Sequence, residues 1–134
     1  IVSGSYLTEA IQALKVVCDD PYVVGSDFVG EEISDIGELK AVIREICRKH
    51  KLIVTMEENV LRGGMGMCIT KYIHDNYPGI RVIQVALPDA YVEHGNVTAL
   101  REMLGIDSDS VIRQITPVLE ECGIQNTRPT AIVK

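Results

Sequence analysis

Apolar residues recur along the chain in two rhythms that take turns. Ile1-Val2 reads as the tail of a strand, turning at Ser3-Gly4-Ser5. Ala10, Ile11, Leu14, Val17 and Cys18 then fall at helical spacing, and Asp19-Asp20-Pro21 stops that helix. Tyr22-Val23-Val24 predicts a short strand, with an extension through Phe28-Val29 open. Asp35 with Glu38 has the spacing of a capping box. Leu39, Val42, Ile43, Ile46 and Cys47 follow as one stripe, and Arg48, Lys49 and Lys51 suit the negative end of a helix. Leu52-Ile53-Val54-Thr55-Met56 is apolar but for one Thr and shows no alternation. That predicts a central strand covered on both faces.

The stretch Glu57-Glu58-Asn59-Val60-Leu61-Arg62-Gly63-Gly64-Met65-Gly66 reads as an acidic, glycine-rich turn leading into a helix with Met65, Cys68, Ile69, Tyr72 and Ile73. Asn76-Tyr77-Pro78-Gly79 ends that helix, and Arg81–Leu87 predicts the next strand. A loop runs from Pro88-Asp89 through Glu93-His94-Gly95. Asn96 is placed to cap a short helix carrying Val97, Leu100, Met103 and Leu104, closed by Gly105. Ser108 or Asp109 opens a last helix with Val111, Ile112, Ile115, Leu119 and Cys122, and Gly123 ends it. Pro117 inside that pattern predicts a kink or an early break. The tail, 124–134, is expected as an edge strand or as frayed chain.

Strands alternating with helices imply a mainly parallel sheet with helices on both faces, an α/β/α layering. The length, 134 residues, fits one domain with a modest core. Aromatic residues are only 4%, with no Trp and one Phe, so Ile, Val and Leu must fill that core. A net charge of −6 argues against a general nucleic-acid binder, which needs a basic face. No apolar run approaches the roughly 20 residues of a membrane span. Cys18, Cys47, Cys68 and Cys122 each lie within an apolar helical pattern and form no C-x-x-C pair. They are expected to be reduced core residues of a cytoplasmic protein, with a metal site or disulfide framework as the alternative. The abrupt start on Ile1-Val2 predicts a piece cut from a longer chain.

Chemistry concentrates at the strand-to-helix corner. Gly63-Gly64-Met65-Gly66 is neither a dinucleotide fingerprint nor a P-loop. It reads as a tight turn, with an anion or partner-chain contact at the helix start as the functional alternative. Glu57 and Glu58 oppose an anion there. Paired carboxylates could do acid–base work; the plainer expectation is that one is solvated and the other caps backbone donors or meets another chain. Asp89 and His94 share a loop, a carboxylate and an imidazole without a nucleophile elbow nearby, and are expected to order that loop. His50 and His74 read as surface or boundary residues. No spacing matches a metal site.

The series Thr55-Met56-Glu57-Glu58-Asn59-Val60, Gly63-Gly64-Met65-Gly66, Leu87-Pro88-Asp89, Glu93-His94-Gly95 and Leu104-Gly105-Ile106-Asp107 closely resembles the C-terminal domain of the 1-deoxy-D-xylulose-5-phosphate synthases, of the transketolase family. The resemblance covers nearly all of residues 1–123. It departs at Gly30-Glu31-Glu32-Ile33-Ser34-Asp35, where the family's basic residue and proline are missing. The resemblance implies a five-stranded, mostly parallel sheet with an antiparallel first strand, forming a single domain over 1–134. It implies an enzyme that condenses pyruvate with glyceraldehyde 3-phosphate and releases CO₂, at the entry to non-mevalonate isoprenoid synthesis. Thiamine diphosphate and Mg²⁺ belong, by the same resemblance, to two preceding domains, as does the glutamate that activates the thiamine ring. This domain is then expected to carry no cofactor or catalytic residue, to pack on the preceding domains, and to help form a homodimer. Glu57, Glu58, Asn59, Gly63, Gly64, Gly66, Asp89 and His94 are the candidate interface or anion contacts. The competing readings are a free-standing anion- or nucleotide-binding regulator, a pure dimerisation module, and a split subunit of a transketolase-like enzyme.

Overall fold

Ile53 and Met56 point to opposite sides of one strand, because successive side chains of a strand alternate between faces. That alternation organises the computed structural model, which describes residues 36–124 of the chain. The elements are α1 (Ile36–Lys49), β1 (Leu52–Val60), α2 (Met65–Asn76), β2 (Arg81–Leu87), α3 (Val97–Leu104) and α4 (Ser108–Glu121). The elements expected before Ile36, the Asp35–Glu38 capping box, the changed segment at 30–35 and the tail from 125 lie outside the described residues.

Among the described residues the sheet has two strands, β1 and β2, running parallel. Leu52 pairs with Arg81 and the register holds through Met56 and Val85. Val60 then pairs with Leu87, four steps along β1 against two along β2, so β1 bulges at Glu57–Asn59. The strand therefore runs on through the acidic residues to Val60, farther than the apolar run alone predicts. Backbone pairing carries it there, and the Leu61 N–H still donates to the Leu87 carbonyl at 3.0 Å.

Each face of the sheet has its own core. Ile53 packs with Ile43, Ile46 and Cys47 of α1 and with Ile69 and Ile73 of α2. Met56 and Val85 pack on the other face with Ile106 and with Val111, Ile115 and Leu119 of α4. Helices thus cover both faces, as the unbroken Leu52–Met56 run requires. α4 continues through Pro117 without the expected break. Proline removes a single donor, and both Pro117 and the would-be acceptor residue Arg113 are exposed, where water can replace the lost bond. Asn96 caps α3 as expected, accepting from the Thr98 N–H at 2.9 Å, and Gly105 closes it at φ 71°. Of the cysteines expected in the core, Cys47 is buried and Cys122 half-buried, but Cys68 is exposed. α2 turns Ile69 and Ile73 inward, and Cys68 lies one position off that stripe.

Two outcomes follow from this packing. Ile73, 0% exposed, should cost about 2–5 kcal/mol when truncated to Ala, whereas the exposed Met103 should cost under about 0.5, read from urea unfolding midpoints. Asp107 caps α4, its Oδ1 accepting from the Ser110 N–H at 3.1 Å. Burial pushes its pKa up, but hydrogen bonds from Ser110 and the charge of Arg113 together hold the carboxyl below its ordinary value. Such a group stabilises the fold above its unfolded-state pKa, and that contribution is lost as pH falls through the lower folded value. The gap in midpoint between the parent chain and Asp107→Ala should stay level from neutral pH down to the ordinary carboxylate range, then narrow.

Candidate functional site

The first N–H groups of a helix have no partner within it and must find one elsewhere. α2 begins after Gly64, which has no side chain to cap it. Glu57 supplies the acceptor from the preceding strand. Its Oε2 accepts from the Met65 N–H at 3.0 Å and its Oε1 from the Gly66 N–H at 2.9 Å. The residue is 3% exposed. Each carboxyl oxygen thus takes one backbone donor, and the positive end of the α2 dipole adds to the attraction.

That seat explains two of the glycines. A Cβ on Gly64 would stand 2.6 Å from Glu57 Oε1 and 2.7 Å from the Val60 carbonyl oxygen. One on Gly66 would stand 2.7 Å from Thr55 Oγ1 and 2.9 Å from Glu57 Oε1. Gly63 is different: its space is open, and its φ of 77° is the left-handed turn that favours glycine.

Glu58 faces the other way. Its Oε1 takes the Arg101 guanidinium, through Nε at 3.1 Å and through Nη2, across 43 residues of sequence. Asn59 accepts from the Val60 N–H at 2.8 Å in the bulge. Asp89 and His94 both lie exposed on the loop after β2, and among the described residues no hydrogen bond joins them. Because β1 and β2 are parallel, that loop and the Glu57–Gly66 corner leave the same end of the sheet. Leu61 of the corner and Tyr91 of the loop are exposed large hydrophobics, Tyr91 at 88%, and Val97 and Met103 of the following helix α3 are exposed as well. Sequence reasoning missed Arg101 and this apolar surface. Arg101 carries no local signal, since its partner lies on a distant strand; Tyr91 stands outside any periodic pattern and so is assigned to neither core nor surface.

The corner does not suit a diphosphate. The N–H groups of Met65 and Gly66 are already given to Glu57, and an incoming phosphate oxygen would meet carboxyl oxygens instead of donors. Among the described residues no group of three or more His, Cys, Asp or Glu gathers as a metal would need, and no helix is long and apolar enough to cross a membrane.

Parallel strands joined through a helix, with helical layers on both faces and loops at the strands' carboxyl ends, define an α/β protein of the crossover type. The sequence model of the transketolase C-terminal domain matches residues 39–111, more than half of the chain, and the chain belongs to that family. It is 41% identical over 76 residues to the 1-deoxy-D-xylulose-5-phosphate synthase of Lachnoclostridium phytofermentans, a match covering 55% of this chain and 12% of that protein. To the synthase of Caldanaerobacter subterraneus subsp. tengcongensis it is 34% identical over 111 residues, 81% of this chain and 17% of that protein. The chain therefore spans under a fifth of the length of these curated relatives, and the resemblance read from the T-x-E-E-N and G-G-x-G series holds. Among solved structures, a split-gene transketolase in an inactive β4 tetramer superposes with a TM-score of 0.62 at 20% identity, over 89% of this chain and 38% of that one. That likeness supports the fold.

Glu57→Gln should lower stability by about 1–3 kcal/mol in denaturant unfolding, because an amide offers one acceptor oxygen to two backbone donors, one buried and one partly buried. An unchanged midpoint would mean that the carboxyl is not the cap. Gly64→Ala should cost more than Gly63→Ala, for which about 1 kcal/mol is expected from backbone strain. The Val60 carbonyl facing Gly64 is backbone and cannot swing aside.

Proposed function

We propose that the chain is the C-terminal, non-catalytic domain of a thiamine-diphosphate-dependent 1-deoxy-D-xylulose-5-phosphate synthase. In this reading residues 1–134 form one domain with a five-stranded sheet. The full enzyme, a cytoplasmic homodimer, joins pyruvate to glyceraldehyde 3-phosphate with loss of CO₂. Thiamine diphosphate and Mg²⁺ sit in other domains, and the chain by itself is inactive.

The observation that carries this reading, beside the family match, is the commitment of Glu57 to the protein's own backbone. The most deeply buried acid of the corner is engaged in holding α2, which leaves it no substrate to reach. The same fact weighs against an anion- or nucleotide-binding regulator, whose ligand would need the donors that Glu57 occupies. The exposed Leu61, Tyr91, Val97 and Met103 suit packing against other protein. Asn59, Asp89 and His94, exposed at the same end, are the polar candidates for that contact. A second reading, a separately encoded subunit of a transketolase-like enzyme, gains support from the split-gene transketolase that shares the fold.

A chimera tests the proposal. Replacing the matching segment of the Caldanaerobacter synthase with this chain should preserve synthase turnover within about tenfold, since the reacting groups stay with the host. The isolated chain should neither turn over substrate nor take up thiamine diphosphate in titration calorimetry. Tight binding of the cofactor by the chain alone would overturn the assignment. Restored turnover on mixing the chain with a truncated synthase would favour the split-subunit reading.

A further inference from the structure

Glu57 and Glu58 are adjacent, and the strand sends them to opposite faces. Glu57 holds the start of α2. Glu58 holds Arg101, in the middle of α3. The two helices differ sharply in what else secures them. α2 buries Gly66, Ile69 and Ile73. α3 has eight residues and buries none of them fully; Leu100 and Leu104 are half-buried, Leu104 against the core around Met56. Val97 and Met103 of α3, 63% and 67% exposed, turn outward.

A helix of eight residues is too short to persist on its own propensity. Caps at Asn96 and Gly105 end it properly, and one further tie comes from α4, where the Gln114 amide donates to the Gly105 carbonyl at 3.0 Å. Attachment by apolar burial is slight. The charged contact is therefore a large part of what fastens it. The side chains of Arg101 and Glu58 are 20% and 32% exposed, so the pair is shielded from water more than an ordinary surface ion pair. The fork of Arg101 places two N–H donors on one carboxyl oxygen, a geometry a lysine cannot copy.

We propose that the Glu58–Arg101 pair is a clasp that fastens residues 88–104 as a separately releasable strap at the carboxyl end of the sheet. The strap carries Tyr91, Val97 and Met103 on its outer side. Opening the clasp frees α3 and the loop before it while the sheet, α2 and α4 stay folded. Local opening of this kind belongs to segments with little buried apolar surface. Any contact made through Tyr91 or Met103 then depends on the Glu58–Arg101 pair inside the domain.

Amide hydrogen exchange on the full 134-residue chain tests the clasp. Glu58→Gln should speed exchange of the α3 amides, Leu100 to Leu104, about fivefold, with Ile69–Ile73 of α2 and the β1–β2 ladder unchanged. Arg101→Met should do the same, and the double variant should be no faster than either single one, because both remove one interaction. Arg101→Lys keeps the charge without the fork, and should show a smaller acceleration of the same amides if the Met variant does not fold. Unchanged α3 exchange in Glu58→Gln would overturn the proposal. So would equal acceleration in α2 and the strands, which would make the pair a contributor to global stability alone.

Discussion

The carboxyl of Glu57 lies under the first turn of α2 and satisfies two backbone donors that the helix cannot satisfy for itself. Much of the corner is arranged to keep it there. Residue 64 must lack a Cβ because the Glu57 carboxyl and the Val60 carbonyl already fill that space, and residue 66 because Thr55 and Glu57 do. β1 bulges where Glu57 leaves the regular ladder, and rejoins β2 at Leu87 after the bulge. Burying a polar group costs free energy unless it is paired. Here each partner is paired by the other, so helix start, strand end and glycine turn form one unit.

The alternation of the strand extends the same constraint to the other face. Ile53, Thr55 and Glu57 belong to the α1–α2 side, while Met56 and Glu58 belong to the side of α3 and α4. Apolar burial dominates at the beginning of the strand and polar pairing at its end. α1, α2 and α4 are secured mainly by Ile, Val and Leu contacts, each a stabilisation that needs no particular angle. α3 depends far more on directional contacts with defined partners. One sheet therefore carries helices of very different attachment.

In many α/β proteins a glycine-rich turn after a strand leaves its helix donors open to a phosphate. The turn here looks similar in composition and differs in use, because an acid eight residues upstream closes it. Membership of the transketolase C-terminal domain family fits such a corner.

The sequence by itself located the helices at Met65, Val97 and Ser108, the strand at Arg81, and the stops at Gly79, Gly105 and Gly123, because caps, glycines and apolar spacing are local signals. It also placed Glu57, Glu58 and the glycines at one corner, and its motif series pointed to the right family. It did not extend β1 to Val60, because the acidic residues there are carried by pairing with β2, a contact more than twenty residues away. It expected one of Glu57 and Glu58 to cap backbone donors or meet another chain and the other to be solvated, but nothing in two adjacent glutamates says which is which. Burial, partner and role were decided only when the strand met its neighbours: α2's bare N–H groups drew one carboxyl inward, and Arg101, brought close from a distant helix, drew the other outward. Short-range chemistry is written in the order of residues; which long-range partner answers it depends on the fold that brings the two together.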